Sequence, residues 1–162
     1  MGKIKKFTAI NIKKLVGGKD PIRAVEEFLL KINADPDACK RERTGDHARW
    51  MVSVGEEVDL EILIENLKKT QETTVYLGVN ILAIPIRGAF DVMGAALEIA
   101  DGLVGLKVSL VGHFLVLSAT LGAADISADD IEYHYKLITA QRGWFLDALT
   151  DELGLERVEE IE

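Results

Sequence analysis

The chain has 162 residues, of which 48% are hydrophobic and 28% are charged, and its formal net charge is −8. This length is sufficient for one domain with a substantial core, and the composition is too apolar for a disordered chain. A protein with this net negative charge repels the phosphate backbone of nucleic acids, so we expect no nucleic-acid binding.

The first 19 residues form a basic arm that carries six lysines and no acidic residue. The pattern fits either a membrane-surface or partner-binding arm, or a loose terminus that lies on the acidic remainder of the protein. We therefore divide the chain into this arm (residues 1–19), one α+β domain (residues 20–154) and an acidic tail (residues 155–162). The candidate contact residues of the arm are Lys3, Lys5, Lys6, Lys13 and Lys14.

The first predicted element after the arm is a helix. Asp20 can cap free amides and Pro21 has the backbone angle of a first helical turn, so the helix is expected to begin there. Apolar residues then recur at helical spacing, and we expect the helix to end near Asn33. The charged segment that follows, residues 37–46, has no periodicity, which predicts a loop containing Cys39.

Three strands are predicted next. Apolar and polar residues alternate over residues 50–54 and 58–65, with a tight turn between them, which predicts an antiparallel hairpin. A third alternating segment begins near Val75 and ends before Pro85, because proline cannot donate a hydrogen bond within a central strand.

The period becomes helical again from Ala89, where Phe90, Met93 and Leu97 fall on one stripe. Residues 94–96 are small, so this helix can pack closely on a sheet or on a second copy of itself. Two strands follow on either side of Gly112 and His113, a pair that suits a two-residue hairpin turn.

A long final helix completes the domain, with Ser127 and Asp130 spaced as a capping pair at its start. The predicted order is α-β-β-β-α-β-β-α, an α+β fold with a mostly antiparallel sheet packed with helices.

This order resembles the type III secretion chaperone-like fold, and in particular the YbjN-like bacterial proteins. The resemblance rests on the segment QETTVYLGVNILAIP, the hairpin LVGLKVSLVGHFLVLSATL, and the final helix with Trp144 and Phe145. It implies a small acidic protein, commonly a homodimer, that binds other polypeptides or takes part in regulation and has no enzymatic activity. It supplies no catalytic or binding residues to transfer.

Candidate catalytic and metal-binding residues are few. Asp130 and His134 lie one helical turn apart, as two metal ligands or an acid–base pair would, but no third ligand has matching spacing, and a surface pair explains them better. Cys39 as a nucleophile would need a base such as His47, and a lone loop cysteine is more often incidental. Phosphate-loop and dinucleotide motifs are absent, so we expect no cofactor and no metal.

Two further groups of side chains have open interpretations. Asp59, Glu61 and Glu65 either bind cations or form the solvated face of a strand, and the solvated face is the simpler explanation. The aromatic candidates for partner binding line a peptide groove or pack in a core or dimer interface, and the sequence favours neither; they are Trp50, Tyr133, Trp144 and Phe145.

The sequence therefore predicts a protein-interaction module, chaperone-like or regulatory, and homodimeric. The alternative is a peripheral membrane or complex-assembly factor that docks through the basic arm, and an unrecognised enzyme ranks last. The single cysteine excludes an internal disulfide and indicates a reducing compartment, so we expect a cytoplasmic location. The identity of the partner is not encoded in any recognisable motif.

Overall fold

The structure, a computed structural model, describes residues 20–43, 47–54, 58–67, 70, 72–84 and 87–154. Within these residues a single six-stranded sheet has the strand order β1-β2-β3-β4-β6-β5. This arrangement of helices and a mainly antiparallel sheet confirms the predicted α+β class. The elements are, in chain order, α1 (Pro21–Lys31), α2 (Pro36–Cys39), β1 (Lys40–Arg43), β2 (His47–Val54), β3 (Val58–Leu67), β4 (Glu72–Ala83), α3 (Ala89–Ala100), β5 (Lys107–Val111), β6 (Phe114–Gly122) and α4 (Ala128–Glu152).

Helix α1 begins and ends where its sequence predicts. The Asp20 carboxylate accepts a hydrogen bond from the Ile22 amide, and Pro21 occupies the first turn. At the other end Asn33 has a φ of 60°, and the Asn33 and Ala34 amides donate to the Leu30 and Leu29 carbonyls. This pair of bonds is a Schellman motif, which satisfies carbonyl groups that the helix end leaves free.

The predicted loop over residues 37–46 is wrong in its first part. Residues there form the short helix α2 and the edge strand β1, which pairs antiparallel with β2. Lys40 anchors this strand, because its ammonium lies 3.0 Å from Glu26 and 5.9 Å from the centre of the Trp50 ring. Tertiary contacts of charged side chains, which no hydrophobic period reveals, therefore stabilise these two elements.

The predicted hairpin of β2 and β3 is confirmed, with Trp50 opposite Ile62 and Val52 opposite Leu60. These four side chains are buried on one face of the sheet. On the other face the Ser53 hydroxyl donates to Asp59, and Arg49 lies 2.6 Å from Glu61. The acidic face of β3 is thus partly neutralised by polar residues of the neighbouring strand.

The described residues group into two compact units. Residues up to Leu77 together with Thr120–Tyr135 form unit 1, and Gly78–Ala119 together with the residues from Lys136 onward form unit 2. Large buried side chains of unit 1 include Phe28, Trp50, Ile62 and Ile131. Those of unit 2 include Leu117, Ile138, Phe145 and Leu149.

The predicted division into arm, domain and tail stays a prediction, since the arm and the tail lie outside the described residues. No helix in the described part of the chain is long and apolar enough to cross a membrane.

Candidate partner-binding surfaces

Helix α3 packs against the protein through its small residues and leaves its large apolar residues in solvent. Val92, Ala95 and Ala96 are buried, whereas Phe90 is 91% exposed and Leu97 is 69% exposed. Phe90, Met93 and Leu97 form the predicted helical stripe, which we call the α3 stripe. Large apolar side chains arranged in this way are costly to hydrate, so the stripe is a candidate contact surface.

The rest of unit 2 adds to this apolar exposure. Leu110 and Val111 are exposed on β5, which is the last strand of the sheet and pairs with β6 alone. Val104, in the turn before β5, and Trp144, on α4, are also exposed. Among the described residues, seven of the ten exposed large apolar side chains belong to unit 2. Such a concentration is characteristic of an interaction surface.

The four aromatic residues predicted to bind a partner fall into two environments. Trp50 and Phe145 have no exposed surface, whereas Tyr133 is 63% exposed and Trp144 is 48% exposed. Trp50 and Tyr133 belong to unit 1 and the other two to unit 2. Burial of Trp50 and Phe145 argues for packing, and the partner-binding role of Tyr133 and Trp144 stays a prediction.

The predicted arm contacts, Lys3, Lys5, Lys6, Lys13 and Lys14, all lie outside the described residues.

The residues considered for acid–base or metal chemistry have structural roles. The Asp130 carboxylate accepts hydrogen bonds from the amide and the hydroxyl of Ser127, as in a helix cap, and the His134 ring lies 2.9 Å from the Asp130 carbonyl oxygen. His47 lies 3.1 Å from Glu42 across β1 and β2. In the part of the chain that the structure describes, no three His, Cys, Asp or Glu side chains are grouped as metal ligands.

One cluster of charges joins α1 to α4 within unit 1. The Lys31 ammonium donates to Asp129 and, at 3.1 Å, to Glu132. These hydrogen bonds raise the pKa of Lys31 above its ordinary value of 10.5. The cluster is partly exposed and links the end of α1 to the start of α4.

Unit 1 also contains a pocket of about 460 Å³. Its walls come from the end of α1, from α2, β1 and β2, and from Tyr135 on α4. Cys39 and Arg41, both in the segment predicted as a loop, line it. We call this cavity the Arg41 pocket.

Sequence reasoning missed parts of these surfaces. The sequence shows Phe90, Met93 and Leu97 as a helical stripe, and the small residues beside it indicate close packing on a sheet or on a second copy, without deciding which face is buried. Leu110 and Val111 fit an ordinary strand pattern. Their exposure at the edge of the sheet follows from the strand order, which the sequence does not reveal. No sequence pattern indicates Arg41 as a pocket residue, because β1 consists of charged residues and has no hydrophobic period.

No family model matches the sequence. No curated protein matches it either.

Solved structures share the fold. The crystal structure of the ExsC–ExsE complex matches with a TM-score of 0.55 and 13% sequence identity, over 79% of this chain and 92% of the matched chain. The structure of the HopA1–SchA chaperone–effector complex matches with a TM-score of 0.49 and 7% identity, over 77% and 91% of the two chains. The fold is type III secretion chaperone-like, which confirms the predicted resemblance at that level. The narrower resemblance to YbjN-like proteins stays a prediction.

Proposed function

We propose that this protein is a non-enzymatic interaction module, chaperone-like or regulatory, that binds a segment of another protein. The observation that carries the proposal is the concentration of exposed large apolar side chains in unit 2, where Val104, Leu110, Val111 and Trp144 are exposed in addition to the α3 stripe. A surface of this kind is stable in water when another polypeptide covers it. The fold likeness to a protein seen in the ExsC–ExsE complex supports the proposal, although a fold alone does not fix a function.

The proposal includes no catalytic step and no cofactor. Asp130 and His134, the best acid–base candidates, are engaged in hydrogen bonds at the start of α4. We place the protein in the cytoplasm, where its single cysteine, Cys39, would stay reduced.

We further propose that the protein is a homodimer and that the α3 stripe lies in the dimer interface. Self-association covers a stripe of large apolar side chains without requiring any other molecule, and the exposed Gly94 beside the stripe permits close approach. The other exposed apolar residues of unit 2, which include Leu110, Val111 and Trp144, then remain available to the partner protein.

Light scattering coupled to size exclusion tests the dimer. We expect twice the monomer mass for the natural chain and the monomer mass for the double variant Phe90→Glu, Leu97→Glu, because charges cannot be buried unpaired in an interface. The matched control is Leu30→Glu, Leu67→Glu, which changes two exposed apolar residues of unit 1 and should remain dimeric. A natural chain that elutes as a monomer at all concentrations would refute the dimer.

Affinity purification from the source cells, followed by mass spectrometry, tests partner binding. We expect a second protein to be recovered with the natural chain and with the unit 1 control variant in comparable amounts. Recovery of this protein alone, from cells grown under several conditions, would contradict the proposed function.

The second candidate function is docking to a membrane or an assembly through residues 1–19. The observation that favours it is six lysines without an acidic residue in that arm. Anionic vesicles containing phosphatidylserine should then bind the full chain and fail to bind a variant that lacks residues 1–19. Equal binding of both chains would end this alternative.

A further inference from the structure

The Arg41 pocket combines a covered apolar part with exposed polar residues. Its volume of about 460 Å³ falls within the range of about 300–1,000 Å³ that is usual for small-molecule sites. Val52 is buried and Met51 is half-buried in its lining, and both present hydrocarbon to the cavity. Four described residues of the lining are exposed, and three of these are polar: Asn33, Arg41 and Ser53. A cavity with this gradient suits a ligand that has an apolar body and one polar end.

Arg41 determines which polar end fits. It is the one charged residue among the described residues of the lining, and no carboxylate of the described part of the chain lies within ion-pair distance of it. A planar guanidinium can bind a carboxylate through two parallel hydrogen bonds. A single positive charge also matches a carboxylate better than a phosphate group, which carries a charge of about −1.5 to −2 at neutral pH.

Carboxylates on the neighbouring elements already have partners and do not compete for Arg41. Three pairs show this: Lys40 with Asp37 at 3.6 Å, His47 with Glu42 at 3.1 Å, and Ser53 with Asp59 at 3.0 Å. The Arg41 guanidinium is therefore available to an anion that enters the pocket.

The charge of the whole chain gives the opposite preference. A protein with a net charge of −8 attracts cations to its surface and repels anions. The exposed apolar side chains of unit 2, in turn, would hold an apolar body whatever its charge. A preference for an anionic ligand would therefore identify the Arg41 pocket as the place of binding.

We propose that the Arg41 pocket binds a small amphiphilic carboxylate, with the carboxylate against Arg41 and the apolar body against Met51 and Val52. This site goes beyond the proposed function, because it requires no partner protein. It also lies in unit 1, whereas the exposed apolar side chains proposed for protein contacts are concentrated in unit 2.

Three ligands that share one apolar body and differ in charge provide the test: 4-phenylbutanoate, 4-phenylbutan-1-ol and 4-phenylbutylamine. NMR titration of the full isotope-labelled chain measures a dissociation constant for each. We expect the carboxylate to bind about ten-fold more tightly than the amine, with the alcohol between them, because an attractive charge pair replaces a repulsive one. The amide signals that shift should belong to residues 32–41 and 51–53.

Cys39 supplies an independent readout, since it lines the pocket and is the single cysteine of the chain. A saturating concentration of 4-phenylbutanoate should slow the alkylation of Cys39 by N-ethylmaleimide. A ligand held by the exposed apolar residues of unit 2 would leave the alkylation rate unchanged.

Two variants and a matched control assign the roles of charge and shape. Arg41→Gln should bring the three dissociation constants together, because it removes the charge and keeps a polar side chain. The control Arg23→Gln removes the same charge from an exposed position on α1 that does not line the pocket, so it should keep the preference of the natural chain. Ala38→Trp fills the pocket from an exposed position and should weaken all three ligands. Circular dichroism verifies the fold of each variant.

Equal binding of the three ligands, tighter binding of the amine, or no binding of 4-phenylbutanoate in the millimolar range would overturn the inference. A preference that survives in Arg41→Gln, binding that Ala38→Trp does not weaken, or alkylation of Cys39 that the carboxylate does not slow would also overturn it. Binding seen only after removal of residues 155–162 would assign the pocket to the acidic tail of the chain itself and overturn it as well. None of these measurements involves a partner protein, so the inference can fail while the proposed function stands, and the affinity purification tests that function separately.

Discussion

The two tryptophans of the chain lie in opposite environments. Trp50 has no exposed surface and packs in the core of unit 1, whereas Trp144 is 48% exposed on α4. Sequence alone distinguishes them poorly: Trp50 alternates with polar residues as a strand residue does, and Trp144 stands next to the buried Phe145 on a helix. Local spacing shows which residues share a face of a helix or strand, but it does not show which face another element covers.

Replacement of these tryptophans should therefore have unequal effects on stability. We expect Trp50→Ala to lower the free energy of unfolding by about 3–5 kcal/mol, the usual effect of a large cavity in a core. Trp144→Ala should change it by less than about 1 kcal/mol, as for an exposed site. Urea unfolding followed by circular dichroism measures both, and equal losses would contradict the burial of Trp50.

The charge cluster around Lys31 predicts a particular pH dependence. Because hydrogen bonds to Asp129 and Glu132 raise the pKa of Lys31 above 10.5, its contribution to stability is fully present below pH 10.5 and is lost as the pH rises through the higher folded value. The natural chain should be more stable than Lys31→Gln at pH 9, and the two should converge at strongly alkaline pH. Urea midpoints of both chains at several pH values test this, and a constant difference would refute it.

Helix α4 contains a glycine that its structure does not require. An added Cβ on Gly143 would meet no heavy atom within 4 Å, so alanine fits there without strain. We expect Gly143→Ala to raise the free energy of unfolding by about 0.5–1 kcal/mol, since glycine loses more backbone entropy in a helix. Gly112→Ala is the contrasting control: Gly112 has a φ of 62° in the β5–β6 turn, so this change should destabilise the protein. Thermal unfolding of both variants checks the opposite signs.

Elements with a hydrophobic period could be predicted from the sequence, and elements without one could not. The β2–β3 hairpin and α3 follow from alternation and from helical spacing, and both lie where these patterns place them. Strand β1 consists of Lys, Arg, Glu and Arg, a composition that predicts a loop. It exists as a strand because β2 offers it a backbone partner and Lys40 packs on Trp50, and those contacts join residues from separate segments.

The candidate surfaces were likewise predictable only where they lie on elements with a hydrophobic period. The α3 stripe was visible in the sequence as a group of apolar residues on one side of a helix. Whether that side faces the sheet or the solvent depends on which face packs more closely, and the small residues Ala95 and Ala96 take the buried position. The Arg41 pocket lies between elements of which two were not predicted, so no sequence pattern indicates it.

At the scale of the whole molecule, self-association predicts that stability depends on protein concentration. If two copies fold together, the unfolding midpoint should rise as the natural chain becomes more concentrated, because binding of the folded state to a second copy stabilises it. The midpoint of Phe90→Glu, Leu97→Glu should not change with concentration. Scanning calorimetry over a wide concentration range measures this, and a natural chain with a constant midpoint would contradict the dimer.

The interleaving of the two units along the chain has a consequence for synthesis on the ribosome. Unit 1 combines the residues up to Leu77 with Thr120–Tyr135, so its first part emerges well before its second. Residues 78–135, about 60 in number, take roughly 3–12 s to translate at about 5–20 residues per second. During that interval Phe28 lacks the Tyr135 ring that lies 5.4 Å from it in the finished protein. The nascent chain therefore exposes an incomplete core for seconds, and a ribosome-bound chaperone is expected to shield it until α4 has been made.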